Sequence, residues 1–256
     1  VILGRANDHV VAFFRQLRWE AGFYVGCVQL QERLTAIGVG VCWPEPAAER
    51  DALSASGLSC LSLALRTGAP PVPNDLTGPR LGLAVITGAN QGGKTMFLRS
   101  IGIAQLLLQA GLFVPATAFR SSPALAVHTH FRRAEDDDLA SGKLAEELVR
   151  MSGIVDRCRP DDLLLMNESF ASTDEVEGTW IAADIIDALL DHGLRLVVVT
   201  HFARLARRYL DRPGTIFLLA ERQPDGTRSF RVLPGQPQAT SHGIDLYERL
   251  CERTPT

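Results

Sequence analysis

The sequence predicts an α/β fold, a three-layer sandwich built on a mostly parallel central sheet and preceded by a helical connector. Three observations carry this expectation. Residues 81–86, 163–166 and 194–200 are short, nearly all-apolar runs, which suit strands covered on both faces rather than strands with one wet face. Helix-length amphipathic segments separate these runs, the order that lays strands parallel. A glycine-rich turn joins the first run to the helix after it.

Composition is compatible with that class. A chain of 256 residues can bury roughly 70–75% of its unfolded surface. Hydrophobic residues make up 46% and charged residues 21%, as in an ordinary globular protein. The formal net charge of −3 argues against holding nucleic acid by bulk charge, so such contact would need a local basic patch. No apolar run is long enough to cross a bilayer, and no signal peptide is evident, so no membrane role is expected. The five cysteines are scattered and odd in number, with no C-x-x-C pair. They read as reduced thiols of a cytoplasmic protein. The chain begins at Val1 and reads as a piece of something longer.

The elements follow in order. Val10, Val11, Phe13, Phe14, Leu17 and Trp19 form an apolar helical face that residues 23–34 continue, so residues 1–36 read as the end of a helical arm. Residues 37–43 alternate as a strand that Pro44 and Pro46 end. Residues 68–75 form a proline-stiffened loop. A strand at 81–86 leads into a helix at 94–110 that Gly111 stops. Residues 124–130 read as a strand, on which His128 and His130 alternate as one wet face. A helix at 142–158 carries an acidic face with Glu146 and Glu147. A strand at 163–166, a helix at 174–191 stopped by Gly193 and a strand at 194–200 come next. Runs 215–220 and 227–233, joined across Gln223-Pro224-Asp225-Gly226, read as an edge hairpin.

Chemistry concentrates at the ends of three of these strands. Gly88-Ala89-Asn90-Gln91-Gly92-Gly93-Lys94-Thr95 fits G-x-x-x-x-G-K-[ST], the P-loop. Placed between a strand and a helix start, it aims backbone N–H groups and the positive end of the helix dipole at one point, which suits nucleotide phosphates. Lys94 would reach the outer phosphates and the Thr95 hydroxyl would help hold Mg²⁺. Leu163-Leu164-Leu165-Met166-Asn167-Glu168 is an apolar strand that delivers polar groups to the same sheet edge. P-loop ATPases use an Asp there for Mg²⁺ and a Glu to polarise the attacking water. Glu168 is therefore the candidate general base. Asn167, in the metal position, removes one negative charge, so weaker Mg²⁺ binding and slower turnover are expected. Val197-Val198-Val199-Thr200-His201 brings His201 to the edge as a candidate γ-phosphate sensor. Arg204, Arg207 and Arg208 share the next helix, either as a solvated face or as a contact for DNA or a partner.

Together these segments resemble the ATPase domain of the MutS family of mismatch-repair and recombination proteins. Thr87 to Thr95 is similar to its T-G-x-N-x-G-G-K-[ST] loop, and Gly111-Leu112-Phe113-Val114-Pro115-Ala116 to its G-x-[FY]-V-P-A turn. Asp137-Asp138-Leu139-Ala140-Ser141-Gly142 resembles the D-D-L-A-S-G signature loop. Asn167-Glu168-Ser169-Phe170-Ala171-Ser172-Thr173 stands where the family has D-E-x-x-x-x-[ST]. Thr200-His201-Phe202 stands for T-H-[FY], and Ser241-His242-Gly243-Ile244 for S-[YH]-G-[IL]. Val72-Pro73-Asn74-Asp75 is similar to the segment bordering the adenine ring.

The resemblance covers about residues 37–250. It implies an ABC-type P-loop NTPase domain at 37–256, with residues 1–36 as the end of a lever arm. It also implies ATP and Mg²⁺ as cofactors. ATP would be bound by Gly88, Ala89, Asn90, Gln91, Gly92, Gly93, Lys94, Thr95, Met96, Val72, Asn74 and a partner's Ser141 equivalent. Thr95, Asn167 and Glu168 would lie at the metal, and Glu168, His201 and Lys94 at the chemistry. Two such domains would pair head to tail as a homodimer, and DNA would be held mainly by domains outside this chain. Leu144, two residues after the signature glycine where mismatch-repairing members generally carry Ser, and Asn167 both mark a divergent branch. A transporter- or chromosome-type ATPase would carry an L-S-G-G-type loop, which is absent from this sequence. A nucleotide switch that hydrolyses weakly or not at all is the alternative that Asn167 keeps open.

Overall fold

The computed structural model describes residues 2–78, 80–132 and 142–237. Helix α1 runs over Ile2–Ala36 and is followed by strands β1, Glu45–Pro46, and β2, Leu53–Leu58, then helix α2, Leu61–Thr67, and strand β3, Asn74–Leu76. Strand β4, Leu83–Gly88, and helix α3, Lys94–Gln109, flank the glycine-rich loop. Strands β5, Ala118–Ser121, and β6, Val127–Phe131, precede helix α4, Lys143–Val155. Strand β7, Leu163–Asn167, helix α5, Glu175–Asp191, strand β8, Arg195–Val199, and helix α6, Ala203–Arg208, complete the alternating part. Strands β9, Thr215–Arg222, and β10, Arg228–Pro234, end the described chain.

Six strands form one sheet in the order β10-β9-β4-β8-β7-β6, parallel throughout except for the β9–β10 hairpin at its edge. Because successive side chains leave opposite faces, the apolar runs feed two cores. Ala84, Ile86, Leu163, Leu165, Val197 and Val199 pack with Leu98 and Ile101 of α3 and with β2 and β5. Leu83, Val85, Leu164, Met166, Leu196 and Val198 pack with Ala182 and Ile186 of α5, Leu205 of α6 and Met151 of α4. The sheet is thus covered on both faces, as the unalternating runs require.

A second sheet, in the order β1-β5-β2-β3, was not foreseen. The expected strand at 37–43 contributes only a bridge between Cys42 and Val114, and it is Glu45–Pro46 that pairs with β5. Residues 53–58 contain Gly57 and three serine or alanine positions, so their pairing is set by β5 rather than by their own pattern. Within the expected loop at 68–75, Asn74 joins β3, which pairs with β2.

Among the described residues, helix α1 joins a core cluster near its end, where Leu30 and Leu34 meet Val39, Ala64 and Phe113. Upstream, Phe13, Phe14, Trp19 and Tyr24 are exposed. Asp174 caps helix α5, its carboxylate accepting from the Val176 and Glu177 amides.

At Gly178 of α5 a side chain would stand 2.6 Å from the Phe202 ring and 2.9 Å from the Phe170 carbonyl oxygen. Alanine gains about 1 kcal/mol over glycine in a helix, but overpacking a core costs about 1–3 kcal/mol. Gly178→Ala is therefore expected to lower the urea midpoint of unfolding, whereas the same change at Gly153 of α4, which faces open space, is expected to raise it.

Candidate functional site

The site is built by register. Val199, the last residue of β8, pairs with Ile86 of β4 on one side and with Asn167 of β7 on the other. The residues that follow these three strands therefore emerge side by side at one sheet edge. They are the 88–95 loop, Thr200-His201 and Glu168.

The loop leaves β4 through Gly88, whose φ of 99° and proximity to Ala220 leave no room for a side chain; a Cβ would lie 2.6 Å from the Ala220 carbonyl oxygen. Gly93, with φ of 93°, caps α3. The Gly92 amide donates to the Ala89 carbonyl at 3.2 Å, and the Arg228 guanidinium holds the Asn90 carbonyl at 3.0 Å. Gln91 is exposed, with φ of 59°. The amides of the first turn of α3 have no partner within their own helix, so the loop and helix start form an anion-attracting concavity.

Lys94 is buried, and its ammonium donates to the carbonyl oxygens of Gly88 at 2.8 Å and Ala89 at 3.1 Å. Burial pulls its pKa down, the Glu168 carboxylate opposes that shift, and Arg228 adds to it. The Thr95 hydroxyl donates to Asn167 Oδ1 at 3.0 Å, so the start of α3 and the end of β7 meet through the two side chains expected at a metal. His201 Nδ1 stands 4.0 Å from Glu168 Oε2, and both side chains are partly open to solvent. The expected residues Lys94, Thr95, Asn167, Glu168 and His201 thus share one edge. Ser141, with residues 137–140 and 241–244, lies outside the described residues.

Beside the loop, a cavity of about 320 Å³ is lined by Val72, Asn74, Gly93, Met96, Phe97 and Phe230, among others. The proline-stiffened segment therefore reaches the loop through Val72 and Asn74. Phe230 went unnoticed in the sequence. A register shift between Arg228 and Val232 bulges β10, and Phe230 adopts φ of 60° there. Asn74 fastens this bulge, its amide donating to the Phe230 carbonyl at 3.2 Å and its Oδ1 accepting from the Val232 amide. No feature of the local sequence signals a bulge.

His130 corrects a second expectation. It is completely buried, not part of a wet face, and His128 is paired with Asp162. His130 Nδ1 shares a hydrogen bond of 2.7 Å with Ser169 Oγ, Nε2 lies 3.1 Å from the Glu147 carbonyl oxygen, and its ring stacks on Phe170. Glu168 and Phe170 both have positive φ, 51° and 63°. Such positions cost roughly 1–3 kcal/mol each unless surrounding structure holds them. The Glu168 amide bonded to the Val199 carbonyl at 2.8 Å, together with His130 against Ser169 and Phe170, does so here. Glu147, expected on an acidic face, is likewise buried, and burial pushes its pKa up. Leu144 packs against the core on the α5 face. Of the three arginines after His201, Arg208 is paired with Asp187 at 2.9 Å.

Residues 84–246 match the model of MutS domain V, and residues 1–37 match that of the MutS2 N-terminal domain. The first match covers well over half of the chain, which belongs to the MutS family. Among similar curated proteins, Endonuclease MutS2 of Geobacillus kaustophilus is 35% identical over 192 residues, or 71% of this chain and 24% of that protein. Endonuclease MutS2 of Shouchella clausii is 33% identical over 193 residues, 71% of this chain and 24% of the relative. That of Thermomicrobium roseum is 31% identical over 189 residues, covering 72% and 23%. The matched region is about a quarter of these relatives, 24% in the first. Among the described residues no helix is long and apolar enough to cross a membrane.

Burial lowers the His130 pKa from 6.5 to about 4, a fall that the Glu147 carbonyl opposes and the Arg150 charge deepens. The unfolded chain takes up the proton as pH falls through 6.5, while the folded chain resists until about 4. Stability present above 6.5 is therefore lost on acidification, by roughly 2 kcal/mol at pH 5. Urea unfolding at pH 7 and pH 5 is expected to show this loss in the wild type and a flatter dependence in His130→Asn.

Proposed function

We propose that this chain is the ATP-binding and ATP-hydrolysing part of a MutS-related DNA repair protein, with the three-layer architecture of an ABC-type P-loop NTPase. The observation that carries the reading is the Thr95–Asn167 hydrogen bond, which brings the glycine-rich loop and the end of β7 together at the sheet edge where the first helical amides of α3 point. In this reading the amides from Gly88 to Thr95 hold the phosphates, and Lys94 leaves its two loop carbonyls for the β- and γ-phosphates. The base lies in the cavity beside Val72, Asn74 and Met96, with Phe230 as its aromatic wall.

The donor set fits a hard cation, because a hydroxyl and an amide oxygen at 3.0 Å can both accept bonds from metal-bound waters. Thr95 and Asn167 would hold Mg²⁺, which when bound neutralises phosphate charge. Glu168 polarises the attacking water, and His201, 4.0 Å away, senses the γ-phosphate from β8. Residues 137–142 complete the site of a second copy, so ATP draws two domains into a homodimer. Residues 1–36 form the connector and 37–256 the ATPase domain. That division is supported by the end of α1 at Ala36 and by the family match that ends at residue 37. DNA is held by other parts of a longer, cytoplasmic protein.

A second reading is favoured by one residue. With Asn167 in place of an acid, the site binds nucleotide and dimerises but hydrolyses weakly or not at all.

Single-turnover ATP hydrolysis separates the two. The first reading expects Glu168→Gln to slow the step by about 10²–10⁴-fold. It also expects Asn167→Asp to tighten Mg²⁺ binding by about tenfold through the added charge and to speed turnover. Wild-type protein as inert as Glu168→Gln would leave only the switch. In gel filtration, Glu168→Gln is expected to double in mass with ATP and Mg²⁺ and to stay single without them or after Lys94→Ala. A mass indifferent to nucleotide would refute the composite site.

A further inference from the structure

At the opposite sheet edge, where β6 and β7 begin, a second set of side chains converges. His128 is the second residue of β6, Cys158 follows the end of α4, and Asp162 stands immediately before β7. One ligating atom from each, imidazole nitrogen, thiol sulfur and carboxylate oxygen, lies within 4.8 Å of the other two. The distance from this cluster to Glu168 along β7 is roughly 20 Å, so it belongs to neither the loop nor its cavity.

The Asp162 carboxylate is the informative member. Its side chain is only 1% exposed. Oδ2 lies 2.8 Å from His128 Nε2 and accepts from the Arg159 amide at 3.0 Å. Oδ1 is equally buried and has no hydrogen-bond partner among the described residues. A buried carboxylate oxygen without a partner is costly, and a cation is the partner that satisfies it best. Cys158 is half-buried, and burial pushes its thiol up to about 11, with Asp162 adding to the rise and Arg157 opposing it.

We propose that His128, Cys158 and Asp162 bind a Zn²⁺ ion, with a water as fourth ligand. Soft thiolate and imidazole beside one carboxylate select zinc over magnesium or calcium. Tetrahedral zinc with ordinary bond lengths separates its ligand atoms by about 3.3–3.6 Å. The three ligand atoms already lie within 4.8 Å of one another, so side-chain rotation brings them to those separations. On binding, the Cys158 S–H bond breaks, its proton leaves to solvent, and a Zn–S bond forms. The ion ties the outermost strand, β6, to the turn between α4 and β7.

Cobalt(II) titration of the reduced, metal-stripped chain tests this. One equivalent is expected to give thiolate charge-transfer absorption with the strong visible bands of a tetrahedral site, and Zn²⁺ is expected to abolish both. Cys158→Ser is expected to lose the charge-transfer band, and His128→Asn to weaken the site. Lys94→Ala, altered at the other sheet edge, is expected to leave the spectrum unchanged. Zn²⁺ at a hundredfold excess over its Kd is expected to raise Tm by about 5–10 °C in the wild type and not in Cys158→Ser. Absence of the thiolate band in the wild type, or its persistence in Cys158→Ser, would overturn the assignment. So would an equal Tm shift in wild type and Cys158→Ser.

Discussion

Everything at the candidate site depends on one strand ending level with its two neighbours. Val199 bonds in register with Ile86 on one side and Asn167 on the other, so three polypeptide exits open onto the same edge. A slip of one residue would turn each strand's side chains to the opposite face and break both cores together. The register is therefore held by the apolar packing on both sides of the sheet, and the polar residues at the edge inherit their positions from it. This explains how Thr95 and Asn167, 72 positions apart, come within 3.0 Å of each other.

The edge is also a place where the backbone is under load. Gly88 and Gly93 take left-handed conformations that only glycine adopts easily, but Glu168 and Phe170 take them with full side chains. Hydrogen bonding to His130 and Val199 holds that turn, and a neutral, buried imidazole suits this task better than a charged one would. On the other side of the loop, the bulge in β10 brings Phe230 to the mouth of the cavity, and Asn74 from β3 anchors it. The small second sheet thus contributes to the site through β3, although it carries no residue of the glycine-rich loop.

Electrostatics complete the arrangement. Lys94 is buried against two carbonyl oxygens, with the Glu168 carboxylate favouring its charge and Arg228 opposing it. Such an ammonium is destabilised relative to water, and a multiply charged anion at the loop would relieve it. The same logic applies at the far edge, where, among the described residues, the buried carboxylate of Asp162 has one oxygen satisfied and one not. The two edges therefore present opposite demands, one for an anion and one for a cation.

The central sheet, its helices and the edge hairpin were legible because they depend on local quantities: unbroken apolar runs, helical periodicity and turn residues. That Lys94, Thr95, Asn167, Glu168 and His201 come to one sheet edge was legible because each follows or ends such a run at a spacing that the edge brings together. Serine- and alanine-rich residues 53–58, the pairing of His128 with Asp162, the burial of His130 and Glu147 and the bulge at Phe230 were not legible. Each of these is decided by what lies across space, a partner strand, a stacked ring or a side chain from a distant loop. A linear pattern can report that a histidine sits on a strand, but only tertiary packing decides whether that face meets water or the protein interior.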